Sequence, residues 1–302
     1  MGYHHGKLDE PVTSDLDNLI AQWEADASLF DPDQLLKRIE ALDALDVVLP
    51  DRDAVTAFAK TDHTHIVAHA NLLRAKLEAA NAAIYNSIRR QIQQHEPASH
   101  LLHWIERCSG NINTPHPGLA YDVLDELISG ILQAREPETA PLRLPPDMVF
   151  YQPTPARHIL QFIRLSALTE SDRLVDLGSG LGHVPILASI LTGAQCIGIE
   201  AQQTYVTSAR DCAAALHLHR VKFIHQNASD ANLTAGTVFY LYTPFTGDTL
   251  KTVLRNLHNI SKEQVITVCT LGPCTPTVAA ESWIAPLTIP DSNQITLFRP
   301  RP

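Results

Sequence analysis

The sequence predicts an α/β protein: a Rossmann-like, doubly wound, mostly parallel sheet with an antiparallel C-terminal hairpin, preceded by an all-helical N-terminal domain. Three observations predict this fold. Up to about residue 135 of 302, apolar residues recur at helical spacings. Beyond about residue 150, short β-branched runs alternate with helix-length segments, which is typical of a parallel sheet covered by helices. The last two apolar runs are joined by a short turn, which predicts the hairpin.

The N-terminal half is predicted to be a series of helices. The longest covers Asp62–His95, which contains neither glycine nor proline and repeats apolar residues every three or four positions. Asp62 is predicted as its N-cap, because a short acidic side chain can accept from the first free amides. Shorter helical patterns flank it at Ser14–Ala27, Pro32–Leu45, Ser99–Cys108 and Leu119–Ala134.

A proline-rich segment, Glu136–Phe150, is predicted to link the two parts of the chain. It holds four prolines, which remove amide donors and discourage continuation of a helix. We therefore predict a helical domain over residues 1–140 and a sheet domain over residues 141–302. The helical domain is expected to cover the substrate, to dock it or to form a homodimer.

The C-terminal half is predicted to contain five parallel strands, at residues 173–177, 195–200, 221–225, 237–242 and 264–268. Helices are expected between them, at residues 183–192, 203–217 and 246–259. The runs "WIAPLTI" and "QITLF" are separated by "PDSN" and form the predicted hairpin, so one edge of the sheet is expected to be antiparallel.

Composition and charge narrow the class of protein. The chain is 45% hydrophobic, yet no apolar stretch approaches the ~18–20 residues of a membrane helix. The first residues lack the apolar core of a secretion signal, so we expect a cytoplasmic protein. The five cysteines form no CxxC pair. The formal net charge is -10 and no lysine- or arginine-rich run occurs, which argues against nucleic acid as the main partner.

The segment "VDLGSGLGHV" is the most informative motif for function. Asp176 lies near the end of a predicted strand, where a doubly wound sheet binds its ligands, and the glycines that follow let the backbone approach a ligand closely. A dinucleotide fingerprint needs a third glycine where His183 stands. The pattern D-x-G-x-G instead fits Asp176, Gly178 and Gly180. A carboxylate at this point would repel a pyrophosphate but suits a ligand with an ammonium and a sulfonium.

On these residues the chain resembles the class I S-adenosylmethionine-dependent methyltransferases. Glu200 ends the second predicted strand, where that family holds the ribose hydroxyls with a carboxylate, and Asn227 stands where the family meets the adenine amino group. Together, "YQPTPARHILQFIRL" and "VDLGSG" resemble a bacterial group similar to the ATP synthase c-subunit lysine methyltransferases. "VDLGSG" also occurs, more distantly, in histone-lysine methyltransferases of the telomeric-silencing type. The resemblance covers Tyr151–Pro302.

The resemblance implies S-adenosyl-L-methionine as the cofactor and a set of residues that bind it. Those expected at the cofactor are Asp176, Gly178, Ser179, Gly180, Glu200, Ala201, Asn227, Ala228 and Thr154. Thr154 precedes the sheet domain and, with Tyr151, is expected to close over the cofactor.

The loop after the fourth predicted strand is expected to face the methyl acceptor. Relatives that methylate planar nitrogens carry Asn/Asp-Pro-Pro-aromatic there, whereas this chain has Tyr242-Thr243-Pro244-Phe245, which puts methylation of a nucleic-acid base in doubt. A lysine acceptor must lose a proton, and aromatic walls that desolvate its ammonium would help. The predicted catalytic residues are Tyr242, Thr243, Phe245 and Tyr151.

Histidines give no second site in the sequence. His183 is expected to be a structural residue at the start of a helix that faces away from the methyl group. His65 and His69 share a helix face and His63 is near them in sequence, but no fourth ligand is evident, so no metal site is predicted.

Three functions stay open at this point. The first is a methyltransferase that acts on a nucleophilic nitrogen or oxygen of a protein side chain, lysine in particular, or of a small molecule. The second is a non-catalytic S-adenosylmethionine-binding or assembly protein that retains the fold. The third is a nicotinamide-dependent oxidoreductase, against which the missing third glycine argues.

Overall fold

The computed structural model describes residues 10–49, 64–109, 122–137, 147–149 and 151–301. Its contacts divide the chain into two compact units, Met1–Ser87 and Ile88–Pro302. The functional boundary between residues 140 and 141 stays a prediction, and the compact units divide the chain at an earlier residue. The predicted N-cap Asp62 and the neighbouring His63 lie outside the described residues.

Helices form the first unit within its described residues. They are α1 (Glu10–Ala25), α2 (Leu35–Val48) and the first part of α3 (Thr64–Gln93), with a 3-10 turn at Ala27–Phe30. Their apolar faces form one core: Ile20, Leu29, Ala41, Leu45, Leu49, Ala70, Leu73 and Leu77. Arg38 is buried beneath them, and its Nε donates to Asn81 Oδ1 at 2.6 Å while its Nη1 donates to two carbonyl oxygens at 2.8 Å. A buried guanidinium is tolerable because these acceptors replace water.

After the end of α3, the described residues of the second unit form three helices before the sheet: α4 (Ser99–Ser109), α5 (Val123–Leu132) and α6 (Ala156–Ser166). The start of α5 also holds α6. Asp122 caps α5 by accepting from Leu124 N–H at 2.8 Å, and its carboxylate pairs with Arg157 at 2.6 Å. Asp125 completes the capping box and accepts from the first amide of α6, at Ala156, at 2.7 Å. The sequence analysis assigns no helix to Ala156–Ser166, so α6 is an addition to the predicted elements.

The sheet has seven strands in the order β3-β2-β1-β4-β5-β7-β6. They are β1 (Arg173–Leu177), β2 (Gln195–Glu200), β3 (Val221–His225), β4 (Val238–Tyr242), β5 (Thr267–Leu271), β6 (Ile284–Pro286) and β7 (Thr296–Pro300). The first five strands are parallel, and β7 pairs antiparallel with both β5 and β6. The predicted fold class and its antiparallel hairpin are confirmed.

Three helices connect parallel strands as predicted: α7 (His183–Thr192), α8 (Gln203–Ala215) and α9 (Gly247–Ser261). A short helix, α10 (Thr275–Ala279), lies between β5 and β6 and is an addition to the predicted elements. The observed β5 begins three residues later than predicted. The amide of Gln264 still bonds to Ile260 O at the end of α9, and its side chain caps carbonyls of Thr234 and Gly236, so these residues belong to the turn.

The order of strands fixes where a ligand can bind. From β1 the chain builds outward to β2 and β3, then returns to the other side of β1 with β4 and β5. The connections therefore leave a crevice at the carboxyl ends of β1 and β4, which is the topological switch point where doubly wound sheets bind ligands. The core beneath it is formed by inward-facing residues such as Val175, Phe239, Leu241 and Val268.

Candidate functional site

A cavity of about 320 Å³ lies at this switch point. Its volume falls within the roughly 300–1,000 Å³ of small-molecule sites. Every residue predicted for the site except Gly180 lines it: Tyr151, Thr154, Asp176, Gly178, Ser179, Glu200, Ala201, Asn227, Ala228, Tyr242, Thr243 and Phe245. Among the described residues, the lining contains two carboxylates and no lysine or arginine. The cavity is therefore suited to a ligand that carries positive charge.

Asp176 is one of two buried carboxylates in the wall of the cavity. Its side chain lies near the end of β1 with 4% of the residue exposed. Among the described residues no donor is assigned to its carboxylate. Burial, and secondarily the charge of Glu200, raises the pKa of Asp176 well above its usual value. Burial of this acid without a partner destabilises the folded protein, and a cationic or hydrogen-bonding ligand would offset that loss of stability.

Glu200 ends β2 and is buried as well, with 7% exposed. Its Oε2 accepts from Gly180 N–H at 3.0 Å and its Oε1 accepts from Gln202 N–H at 2.8 Å. Burial raises the pKa of Glu200, while these backbone hydrogen bonds oppose the rise. Each carboxylate oxygen keeps a second lone pair, so the group is fixed in place and can still accept from a ligand.

The glycine loop is bound to β2 through its amides. Gly178 N–H and Ser179 N–H both donate to Ile199 O, at 2.8 and 3.1 Å, and Gly180 N–H donates to Glu200. A dinucleotide loop needs such amides free to face a pyrophosphate. Here they are occupied, which agrees with the argument from the missing third glycine.

Close packing explains two of the glycines. Gly178 has φ +83°, and a Cβ there would lie 2.1 Å from Pro244 Cβ in the loop after β4. Gly180 has φ +50°, and its Cβ would lie 2.1 Å from the Tyr151 ring. Gly180 therefore contributes to the site from beneath Tyr151, and only glycine allows the two loops to approach so closely.

Ser179 supplies an unused polar atom. Its hydroxyl is buried and has no hydrogen-bond partner among the described residues. Buried polar groups are nearly always satisfied, so an orphaned hydroxyl in a cavity wall indicates a site for a polar ligand. In the same cavity, the Ser179 hydroxyl can therefore donate a hydrogen bond to a ligand, and the Asp176 carboxylate can accept one.

Asn227 caps a short 3-10 turn over Ala228–Asp230. Its Oδ1 accepts from Ser229 N–H at 3.1 Å. The amide oxygen retains one lone pair, and the side chain lines the cavity. Ala228 beside it is buried and presents a small apolar surface.

The segment before α6 forms one wall of the cavity. Asp147 O accepts from Thr246 N–H at 2.8 Å, and its carboxylate accepts from the amide and hydroxyl of Thr249, at 3.2 and 3.3 Å. Met148 forms an antiparallel bridge with Phe245. These contacts tie residues 147–149 to the loop after β4, so both parts of the wall are held together.

The loop after β4 is stabilised from within. Thr243 has φ +36° and is buried, and its Oγ1 donates to Leu271 O at 3.1 Å and accepts from Cys274 N–H at 3.0 Å. Phe245 is 2% exposed and packs in the core of the sheet domain. Tyr242 is half-buried in the cavity wall. Of these three predicted catalytic residues, Thr243 and Phe245 shape the loop with their side chains.

Aromatic side chains and one histidine close the remaining side. The Tyr151 ring packs on Tyr205, with centroids 4.8 Å apart, and its hydroxyl is 3.5 Å from His183 Nδ1. Burial lowers the pKa of His183 to about 4, so the imidazole is neutral at neutral pH. The sequence predicts that His183 faces away from the methyl group, but in the structure His183 lines the cavity, where Tyr151 approaches the start of α7.

Sequence reasoning missed several lining residues: Met148, Val149, Gln152, Gln202, Tyr205 and Tyr240. A signal existed for two of them. Gln202 and Tyr205 follow directly after Glu200 at the start of a predicted helix, so they belong to the same edge of the sheet. Met148 and Val149 reach the cavity through contacts with a loop about 100 residues later in the chain, which no local pattern reveals.

The family profile described as "Histone methylation protein DOT1" matches residues 149–240. The match spans 92 of 302 residues, less than a third of the chain, and includes Tyr151, the glycine loop, Glu200 and Asn227. A search of curated proteins finds no match.

Several solved structures that match the sheet domain are described as methyltransferases. One is an RNA methyltransferase from Salinibacter ruber in complex with S-adenosyl-L-homocysteine, with 26% identity, a TM-score of 0.40 and coverage of 49% of this chain and 92% of that chain. Another is the precorrin-6y C5,15-methyltransferase from Geobacter metallireducens, with 17% identity, a TM-score of 0.39 and coverage of 49% and 89%. A putative RNA methyltransferase from Pyrococcus horikoshii has 14% identity, a TM-score of 0.42 and coverage of 58% and 96%.

The profile match and the fold of the sheet domain support an S-adenosylmethionine-dependent methyltransferase with S-adenosyl-L-methionine as its cofactor. This agrees with the resemblance drawn from its glycine loop and the two carboxylates. No helix among the described residues is long and apolar enough to cross a membrane.

Proposed function

We propose that the protein transfers a methyl group to the side-chain amine of a lysine in another protein. The observation that carries the proposal is the cavity itself, whose described lining residues include two buried carboxylates and four tyrosines but no lysine or arginine. Such a lining favours both a cationic cofactor and an approaching ammonium. The profile match to a histone methylation protein supports a protein acceptor over a small molecule.

The residues of the cavity fit the cofactor. Glu200 is oriented by two backbone amides and has lone pairs left for the two ribose hydroxyls. Asp176 and the unpartnered hydroxyl of Ser179 would receive the amino acid end, beside the backbone of Gly178 and Gly180. The adenine would lie against Asn227 and Ala228, with Ala201 and Thr154 completing the cofactor site. When bound, S-adenosylmethionine supplies an electrophilic methyl group on a sulfonium.

The protein's own contribution to the reaction is orientation and exclusion of water. In-line transfer needs the acceptor nitrogen to be held on the axis of the breaking bond. Tyr151, Tyr242 and the loop fixed by Thr243 would form the walls that direct it. Thr243 and Phe245 are proposed to act by shaping these walls, since the Thr243 hydroxyl is already bonded to Leu271 O and Cys274 N–H.

The acceptor lysine must be neutral to react. At pH 7 deprotonation costs about 4–5 kcal/mol from a pKa near 10.4. Burial against the tyrosines would lower this cost, because desolvation disfavours the ammonium. His183 is a poor acceptor for that proton, since its pKa is about 4. Its proposed role is to stay uncharged beside the sulfonium, while the proton leaves to solvent.

The helical region before residue 140 is proposed to present the protein that carries the lysine. Its use as a homodimer interface and a cytoplasmic location stay predictions from the sequence.

The test is transfer of a labelled methyl group. The purified chain is incubated with [methyl-³H]S-adenosylmethionine and cell extract, and the labelled proteins are hydrolysed and analysed for methylated lysine. We expect labelled methyl-lysine with the wild type and with Glu170→Gln, an exposed acid remote from the cavity, and none with Asp176→Asn. Label confined to small molecules, to nucleic acid or to the donor across many extracts would contradict the proposal.

A further inference from the structure

A second cavity, of about 400 Å³, lies in the same compact unit as the first, at the opposite end of the sheet. It is formed by the end of α3, the start of α4, the end of α7 and Leu218–Arg220, which precede β3. Helix α7 contributes His183, at its start, to the first cavity and Ser189 and Ile190, near its end, to the second. The two cavities share no described lining residue, so a ligand in the second leaves the cofactor cavity free.

The buried part of the second cavity is largely apolar. Ile88, Ile92 and Leu101 are 1%, 7% and 1% exposed, and Ile190 and Leu218 are partly buried beside them. The volume falls within the roughly 300–1,000 Å³ of small-molecule sites, in which apolar walls hold the ligand and a few polar groups orient it. This lining therefore suits the apolar body of a small molecule.

Ser189 places an unused hydroxyl in this lining. The residue is 8% exposed, and no hydrogen bond is assigned to its side chain within the described part of the chain. Other helical hydroxyls bond to the carbonyl four residues earlier: Thr192 Oγ1 donates to Ala188 O at 2.6 Å and Ser166 Oγ donates to Phe162 O at 2.8 Å. Because buried polar groups are nearly always satisfied, the Ser189 hydroxyl indicates a ligand with a hydrogen-bonding group.

Hydrogen-bond donors surround the mouth of the second cavity. His95, His219 and Arg220 are exposed there, and the two imidazole rings lie 5.6 Å apart between centroids. Arg220 Nη2 donates to Glu170 O at 3.0 Å, which leaves other guanidinium donors available. Glu96 is the acid that the described lining contributes, and it is exposed. Donors thus outnumber the acid, which favours a head group that accepts hydrogen bonds and carries a negative charge.

The start of α4 adds to this preference. Pro97, Ala98 and Leu101 line the cavity at the first turn of α4, and that turn contains no acidic residue. The first amides of a helix lack intrahelical acceptors and carry partial positive charge, so they favour an anion nearby. This contribution has the same sign as that of Arg220.

The segments that carry the two histidines are held in place by the protein itself. Helices α3 and α8 both end in a left-handed turn, with φ +56° at His95 and at His217, and amides of each turn donate back to carbonyls of the last helical turn at 3.0 Å. Gln93 Nε2 donates to Ala215 O at 2.8 Å, and His217 Nδ1 donates to Gln93 O at 3.2 Å. The helix-end carbonyls are therefore satisfied, and the two helix ends are joined without any ligand.

We infer that the second cavity is a ligand site, separate from the cofactor cavity, that binds a small carboxylic acid with an apolar body. The body lies against the isoleucines and leucines, and the carboxylate accepts from Ser189 and from the donors at the mouth. One arginine and two imidazoles match the single charge of a carboxylate better than the double charge of a phosphate monoester.

The test compares three probes that share one alkyl chain and differ in the head group: octanoate, 1-octanol and octylamine. Binding to the full chain is measured by titration calorimetry with saturating S-adenosyl-L-homocysteine, which occupies the first cavity. The variant His219→Ala/Arg220→Gln is compared with His65→Ala/Arg299→Gln. Both remove one exposed histidine and one exposed arginine, but the second pair lies outside the described linings of both cavities.

We expect octanoate to bind about tenfold more tightly than 1-octanol and octylamine to bind least. His219→Ala/Arg220→Gln should weaken octanoate binding about tenfold and 1-octanol binding less than twofold, because it removes donors to the carboxylate. His65→Ala/Arg299→Gln should change both affinities less than twofold.

Two single variants test the position of the ligand within the second cavity. Ser189→Ala should weaken octanoate binding about threefold, and the free variant should melt no lower than the wild type because it loses a hydroxyl without a partner. Ala98→Trp fills the mouth and should abolish binding of octanoate and 1-octanol, whereas Ala83→Trp, at an exposed position of α3, should bind both like the wild type. If Ala98→Trp does not fold, Ser189→Ala and the double variants decide.

Four results would overturn the inference. They are the absence of octanoate binding, tighter binding of octylamine than of octanoate, displacement of octanoate by S-adenosyl-L-homocysteine, and equal effects of the two double variants. None of these results bears on methyl transfer, so the proposed function stands or fails independently of the second cavity.

Discussion

The two halves of the cavity use their side chains in opposite ways. At the ends of β1 and β2, neither the Asp176 carboxylate nor the Ser179 hydroxyl has a hydrogen-bond partner assigned within the described part of the chain, although both residues are buried. In the loop after β4, the Thr243 hydroxyl makes two hydrogen bonds and Phe245 is part of the core. Of these four side chains, the two with unused polar capacity lie in the half proposed for the cofactor, and the two that are satisfied or packed lie in the half proposed for the acceptor.

This difference indicates that the ends of β1 and β2 supply groups that bind a ligand, whereas the loop after β4 gives the cavity its shape. Burying groups without partners destabilises a fold, so they persist where a ligand completes them. A loop whose polar groups are satisfied internally gives a rigid wall without specifying a particular hydrogen-bonding acceptor. We therefore expect substitutions at the first half to act on cofactor affinity and substitutions at the second half to act on stability and on use of the acceptor.

The largest effect is expected from removing both carboxylates. Asp176→Asn/Glu200→Gln should weaken S-adenosylmethionine binding by about 1,000-fold, because hydrogen bonds to charged groups contribute ~1.5–3 kcal/mol each. Titration calorimetry measures this. The double variant Glu170→Gln/Glu263→Gln removes two exposed acids elsewhere and should bind like the wild type. Similar affinities of the two double variants would remove the basis for assigning this half of the cavity to the cofactor.

The affinity for the cofactor should also depend on pH. The pKa of Asp176 is raised in the free protein, and a cationic ligand would lower it again. Affinity should therefore fall as pH drops through the raised pKa, by up to ~10-fold per pH unit. The stability of the free protein should depend on pH in the opposite direction. The folded state binds more protons than the unfolded one, so the contribution of Asp176 to stability is present at acid pH and is lost as pH rises.

That pH dependence is measured by calorimetry at several pH values, with Asp176→Asn as the control. The variant should show a flatter profile than the wild type. An unchanged profile in the variant would assign the titration to another group.

A smaller effect, on stability, is expected at Gly178, where the glycine loop approaches Pro244 in the loop after β4. Gly178→Ala places a methyl group 2.1 Å from Pro244 Cβ at φ +83°. Gly193→Ala is a matched control, since φ there is +72° and the nearest atom is 3.4 Å away. Both variants lose about 1 kcal/mol to the positive φ, and only Gly178→Ala must also displace the loop. Denaturant unfolding should show that Gly178→Ala loses about 1–3 kcal/mol more unfolding free energy than Gly193→Ala. Equal losses in the two variants would mean that the loop after β4 moves away from the added methyl group at no cost in stability.

The smallest effect on binding is expected at Thr243. Thr243→Val keeps the shape but removes the hydroxyl that joins Leu271 O to Cys274 N–H, and should destabilise the protein by about 1–3 kcal/mol. Thr243→Ser retains the hydroxyl and should recover most of that loss. Cofactor affinity should change less than threefold in both, which calorimetry checks. A tenfold loss of affinity in Thr243→Val alone would show that the halves are not separate.

The sequence predicted the cofactor half better than the acceptor half. Asp176 and Glu200 are found because each follows a short apolar run, and strand order brings the ends of β1 and β2 together. The contacts of Asp147 and Met148 with the loop after β4 join segments far apart in the chain, and no periodicity reports them. The late start of β5 has a similar cause, since Gln264 is held in the turn by long-range hydrogen bonds.

The direct test of the difference between the two halves of the cavity is the melting temperature of Asp176→Asn, measured with and without S-adenosylmethionine. We predict that the free variant melts above the free wild type, because a buried acid with a raised pKa is replaced by a neutral group, and that the same concentration of cofactor raises its melting temperature less than that of the wild type. A free variant that melts below the wild type, together with full stabilisation by the cofactor, would contradict this prediction.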